Sequence, residues 1–145
     1  SSKNSAALHT RYFDPPSNIK ENNIPFTYYK NAMGRLETKN KHIEYFLFSQ
    51  YPSHSYKILS KMTNKKIYIV DKNLLPSQTI DLMTKCKNHI ISNSTFSWWG
   101  AWLSSYQNNI YCPDLIKLDG ESFWGFNGLI PKQWKLVETY NVMNR

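Results

Sequence analysis

Two short stretches of this chain carry side chains suited to holding and neutralising an anion. The first is His9-Thr10-Arg11-Tyr12-Phe13-Asp14, with ionisable residues at spacings of two and three. Arginine suits a diphosphate, because its planar fork donates bidentately and stays charged at any physiological pH. The second is Ser92-Asn93-Ser94-Thr95, which follows the apolar pair Ile90-Ile91 and precedes Phe96-Ser97-Trp98-Trp99. A strand that feeds a hydroxyl-rich turn into a helix start builds an anion site: the first helical N–H groups are unpaired, and the dipole is positive there. Plainer readings stand beside both. Ser94 or Thr95 could simply cap the helix, and Arg11 could pair with Asp14 to hold a loop.

A third residue, Asp81, comes into play if the anion is a guanine nucleotide. A carboxylate can accept from both N1–H and N2–H of guanine. On helical spacing alone Asp81 is an ordinary solvent-facing or first-turn acid. Trp98 with Trp102, and Trp99 with Leu103, are i,i+4 pairs, and are expected to pack in the core and lock the helix start in place. Trp124, in the Gly-bearing segment ESFWGFNG, is the better candidate for stacking on a sugar.

The secondary-structure pattern around these residues alternates along the chain. Strands are predicted at Ser5 to Thr10, His42 to Ser49, Lys66 to Val70, His89 to Ser92 and Ile110 to Cys112, with a last one at Trp134 to Glu138. Helices are predicted at Phe26 to Thr38, Ser53 to Met62, Ser77 to Lys87 with Ser77 as N-cap, and about Ser94 to Tyr106. Strands alternating with helices over short loops imply an α/β fold, a Rossmann-like, mostly parallel sheet with helices on both faces. In such sheets ligands bind at the carboxyl ends of the strands. Both anion-seeking stretches lie at such ends.

Composition sets the bounds. The 145 residues suit a single domain spanning 1–145, and 41% hydrophobic content with five Trp, ten Tyr and seven Phe excludes a disordered chain. A net charge of +8 favours an anionic ligand. The lysines are scattered, and no nucleic-acid-binding motif is present, so nucleic acid is not the expected partner. No apolar run reaches membrane-spanning length. Cys86 and Cys112 lack metal-ligand spacing and read as reduced, buried thiols. No metal site is expected: His9, His42, His54 and His89 are not closely paired, and there is no Asp-x-Asp. Neither a Walker loop, a G-x-G-x-x-G nor a G-x-S-x-G elbow is present, against ATP, NAD and serine-hydrolase chemistry.

The block from Asp81-Leu82-Met83 through Cys86, then His89-Ile90-Ile91-Ser92-Asn93-Ser94-Thr95-Phe96-Ser97-Trp98-Trp99-Gly100-Ala101-Trp102-Leu103, closely resembles the signature of the α-1,2-fucosyltransferases, glycosyltransferase family 11. His9-Thr10-Arg11 with Asp14 resembles that family's His-x-Arg-Arg-Gly-Asp motif, and Phe48-Ser49 falls where the family has Phe-Ser-Asp. The resemblance implies one half of a GT-B-type enzyme, the half that binds GDP-fucose, with an N-terminal acceptor domain outside this chain. The implied reaction is transfer of L-fucose from GDP-β-L-fucose to a sugar hydroxyl, inverting, α-1,2-linked and without a metal or other cofactor. Carried onto this chain, Arg11 would hold the β-phosphate and stabilise the leaving GDP. His9 and Asp81 would contact guanine. Ser94, Thr95 and Phe96, within a block that includes Asn93 and Ser97, would contact the diphosphate. Asp14 is the nominated general base. The chain departs from the pattern at Tyr12 (an arginine in the family), Phe13 (a glycine) and Gln50 (an acid). These departures leave a second reading open, a non-catalytic GDP-sugar or glycan binding module.

Asn93-Ser94-Thr95 is also a glycosylation sequon, and a glycan there would block the proposed phosphate site. Either the chain works in the cytoplasm, the expected location, or Asn93 is inaccessible once folded. Ser1 in place of Met suggests a fragment, so a preceding anchor for a membrane or the Golgi is the alternative.

Overall fold

The structure is a computed structural model, and it describes residues 3–18, 23–115 and 128–139. Strands β1 (Ser5–Thr10), β2 (Glu44–Ser49), β3 (Ile67–Ile69), β4 (Asn88–Ile90), β5 (Ile110–Pro113) and β6 (Lys135–Val137) form one sheet, in the order β3-β2-β1-β4-β5-β6. Every pairing is parallel. This is a doubly wound α/β sheet, as the alternation of elements predicts. The strand order reverses between β1 and β4, and that switch point opens the crevice where such sheets bind ligands.

Helices α1 (Phe26–Lys39), α2 (Pro52–Leu59), α3 (Pro76–Lys85) and α4 (Thr95–Trp102) supply the covering layers. On one face Tyr28, Tyr29, Ala32, Met33 and Leu36 of α1 and Leu59 of α2 pack with Ala6, Leu8, Tyr45, Leu47 and Ile90 of the sheet. On the other, Met83 of α3 and Phe96 of α4 pack with Ala7 and Phe48. All six residues of β1 are buried, as expected of a central parallel strand covered on both sides. Alternation then sends Ala6 and Leu8 to the first face, and Ala7 and His9 to the second.

Several boundaries differ from expectation for identifiable reasons. Helix α3 starts at Pro76, so Ser77 is inside the helix and is not its N-cap. A proline already fixed at helical φ, with no N–H to satisfy, takes the first helical position. The Leu75 N–H is met instead by the Gln78 side chain at 2.9 Å. Pro52 opens α2 in the same way. Helix α4 stops at Trp102, well short of Tyr106. The Gln107 amide reaches back to the carbonyls of Ala101 and Ser104, at 2.9 and 2.7 Å, and satisfies the helix end.

The tryptophans divide. Trp98 stacks on Trp102 with ring centroids 5.2 Å apart, as the i,i+4 spacing requires, and it also meets Trp134. Of these α4 residues, Trp98 is the one that packs against the buried cluster of Ile91, Ala101, Ile110, Cys112 and Trp134. Trp99, Trp102 and Leu103 are about half exposed, so the expected core role falls to one residue of the four. Trp124 lies outside the described residues.

Gly100 lets α4 sit directly on α3. A Cβ there would come within 2.7 Å of Met83 Sδ and 3.0 Å of Met83 Cβ. Gly100→Ala is therefore expected to destabilise the fold, with overpacking of about 1–3 kcal/mol outweighing the helix-propensity gain. A melting temperature at or above wild type would contradict this.

Candidate functional site

The register of the central strands brings the two polar stretches together. Thr10 pairs with Ser49, so Arg11 and Gln50 leave the sheet side by side; Leu47 pairs with Ile69, which brings Asp71 to the same rim. Leu8 pairs with Ile90, so His9 lies beside the turn that begins at Ser92. The carboxyl ends of β1, β2 and β3, with the starts of α3 and α4, enclose a pocket of about 350 Å³. His9, Arg11 and Gln50 line it, with Phe48, Val70, Leu74 and Phe96 as apolar walls and Asp71, Lys72 and Thr79 around them.

His9 is buried and joins the two stretches. Its Nδ1 lies 3.0 Å from Ser92 Oγ, which lies 3.2 Å from Ser97 Oγ. Ser97 in turn donates to the Ser94 carbonyl and accepts from the Ser92 N–H. Burial, reinforced by the charge of Arg11, pulls the His9 pKa down to about 3. The imidazole is therefore neutral, as a hydrogen-bonding side chain must be to both donate and accept. Its ring stands 6.0 Å from that of Phe96.

Arg11 is exposed, with its guanidinium over the Phe13 ring at 5.2 Å. Among the described residues the ion pair is Lys85–Asp81, so Arg11 and Asp14 do not form a loop-holding pair. Asp14 is held through its backbone: its N–H donates to Asn23 Oδ1 at 3.1 Å, and its carbonyl accepts from Asn23 Nδ2 at 3.0 Å. Its Oδ2 is buried and makes no hydrogen bond among the described residues.

Ser94 is the N-cap of α4 and accepts from the Phe96 N–H at 3.2 Å. Capping and anion binding are thus compatible here, since one cap leaves the other first-turn donors available. Thr95 is exposed at the helix start. Asn93 and Ser97 are buried beneath it, and the Ser97 hydroxyl is engaged internally. Burial of Asn93 places the sequon out of reach in the folded chain.

Residues 11–116 match the profile of glycosyl transferase family 11. The chain belongs to that family. Among its relatives is the O-antigen biosynthesis glycosyltransferase WbnK of Escherichia coli, 34% identical over 74% of this chain and 37% of that protein. The alpha-1,2-colitosyltransferase of Escherichia coli is 29% identical over 93% of this chain and 48% of its own length. The chain thus spans less than half of the length of these relatives. No solved structure matches it significantly.

The family-11 resemblance nominates Asp81 for guanine; in the fold Asp81 does not line this pocket. Asp81 is 62% exposed and pairs with Lys85 at 3.0 Å on the outer side of α3. Thr79, two residues earlier and so nearly opposite on the helix, is the one that lines the pocket. The carboxylate that does line it is Asp71, just beyond β3, which sequence reasoning missed. Its position after a strand was the available signal. Val70 and Leu74 were likewise legible only as strand-end neighbours.

Neither cysteine belongs to the site. Burial pushes the Cys86 and Cys112 thiols up to about 11 and about 12, and both are free, in keeping with reduced core cysteines. Among the described residues no group of three or more His, Cys, Asp or Glu is placed to hold a metal ion. No helix among them is long and apolar enough to cross a membrane.

Proposed function

We propose that this chain is the donor-binding half of a GT-B-type, inverting α-1,2-fucosyltransferase that takes GDP-β-L-fucose without a metal. The observation that carries the proposal is the placement of Arg11. It stands at the topological switch point, without a carboxylate partner among the described residues, between the pocket and the start of α4. The guanine would enter the pocket, with Asp71 accepting from its N1–H and N2–H and neutral His9 at its edge. The diphosphate would lie between Arg11 and the first turn of α4, where Ser94 and Thr95 offer donors beside the Phe96 N–H that the Ser94 cap engages. Charge developing on the leaving diphosphate would meet Arg11 and the helix dipole. Asp14, three residues beyond Arg11, is the carboxylate nominated to take the proton of the incoming hydroxyl. The relatives' printed names, one α-1,2-specific and one from O-antigen biosynthesis, support a surface-polysaccharide acceptor.

Calorimetric titration with GDP-fucose, GDP-mannose and ATP tests this. Saturable binding of GDP-fucose, weaker GDP-mannose and no ATP binding is the expected pattern. Equal binding of all three, or collapse of binding as salt rises, would replace the pocket with non-specific charge attraction.

A further inference from the structure

The two departures from the family pattern at Tyr12 and Gln50 touch each other. Tyr12 N–H donates to Gln50 Oε1 at 2.7 Å, and Gln50 Nε2 donates to the Tyr12 carbonyl at 3.1 Å. An amide can grip both polar groups of one residue because it carries a donor and an acceptor; a carboxylate can take only the N–H. The Tyr12 side chain is occupied elsewhere. Its hydroxyl lies 2.8 Å from Ser55 Oγ, and its ring packs edge-on against Tyr51 and His54. The exposed guanidinium of Arg11 therefore springs from a backbone fixed at the very next residue.

The geometry points to Gln50 as a positioning residue for Arg11, acting through the Tyr12 backbone to aim the guanidinium at the donor's diphosphate. This inference rests on the donor-site reading above. It gives the two departures one physical meaning: Tyr12 and Gln50 form a neutral clamp next to the anion site, where an added carboxylate would repel the ligand. Pre-organisation of this kind matters because small misplacements of a charge-bearing group are costly to binding and catalysis.

A double-mutant cycle of Gln50→Ala and Arg11→Ala, read as affinity for GDP and for guanosine, tests it. Gln50→Ala is expected to weaken GDP about tenfold, to weaken guanosine far less although Gln50 also lines the pocket, and to add nothing in the Arg11→Ala background. Gln50→Glu, which keeps the acceptor for the Tyr12 N–H, should fold even where Gln50→Ala does not, and should also weaken GDP selectively. Equal loss of GDP and guanosine would make Gln50 merely structural and overturn the inference. So would an undiminished Gln50→Ala effect on top of Arg11→Ala, which would mean direct contact with the ligand. GDP binding that needs Arg11 but ignores Gln50 would overturn the clamp alone. Failure of the wild-type chain to bind GDP would overturn the donor site, and the clamp with it.

Discussion

Replacing Arg11 with alanine is expected to lower the affinity for GDP by roughly 1.5–3 kcal/mol, because it removes a charge-assisted bidentate donor from the phosphate side. The guanidinium is exposed and lacks a carboxylate partner among the described residues, so its removal leaves no buried charge stranded. Thermal stability should consequently stay within about 0.5 kcal/mol of wild type, as for an ordinary surface change. Ser94→Ala should show the opposite balance. It removes the hydroxyl that caps Phe96 N–H and costs about 1 kcal/mol of stability, while the backbone donors of the anion site remain. Calorimetry beside thermal unfolding separates the two variants. Undiminished GDP binding by Arg11→Ala would remove Arg11 from the donor site.

Acid is expected to destabilise the fold well above the range in which carboxylates titrate. His9 and His89 are both buried and neutral, with pKa values lowered to about 3 and about 4, chiefly by burial. The unfolded chain protonates both near the ordinary histidine value of about 6.5. Above that pH neither state carries the proton, and the stabilisation is fully present. As pH falls from about 6.5 towards about 4 and then about 3, the unfolded state gains protons that the folded state refuses, so stability is progressively lost. Two such groups make the total loss on the order of several kcal/mol. Urea midpoints at pH 7.5, 6.0 and 5.0 should fall steadily, in a window where Asp and Glu stay ionised. A flat profile there would mean that both imidazoles find a proton-accepting partner in the fold.

His9 is also where local and long-range information meet. Its place at the end of a strand was legible, because alternation and burial along Ser5–Thr10 are set by neighbours in the chain. Its hydrogen bond to Ser92 was not, since that bond exists only once β1 and β4 pair in register. Helix starts show the same divide at shorter range. Pro76 and Pro52 decide them by their own fixed φ, a local rule that outranks the capping preference of the serines beside them. The end of α4 depends on Gln107 folding back across the last turn.

The alternating α/β plan, the parallel sheet, and the two polar stretches at strand ends that suit a diphosphate were all written in the amino-acid order. Those follow from period-2 and period-3.6 patterns and from residue chemistry, all of which act over a few positions. Which carboxylate faces the pocket, Asp71 and not Asp81, was settled only by folding, because it depends on how α3 is rotated against the sheet. So was the division of the α4 tryptophans, one in the core and two half exposed, and the grip of Gln50 on Tyr12. Spacing along an element says which side chains share a face. Packing between elements distant in the chain says what that face meets.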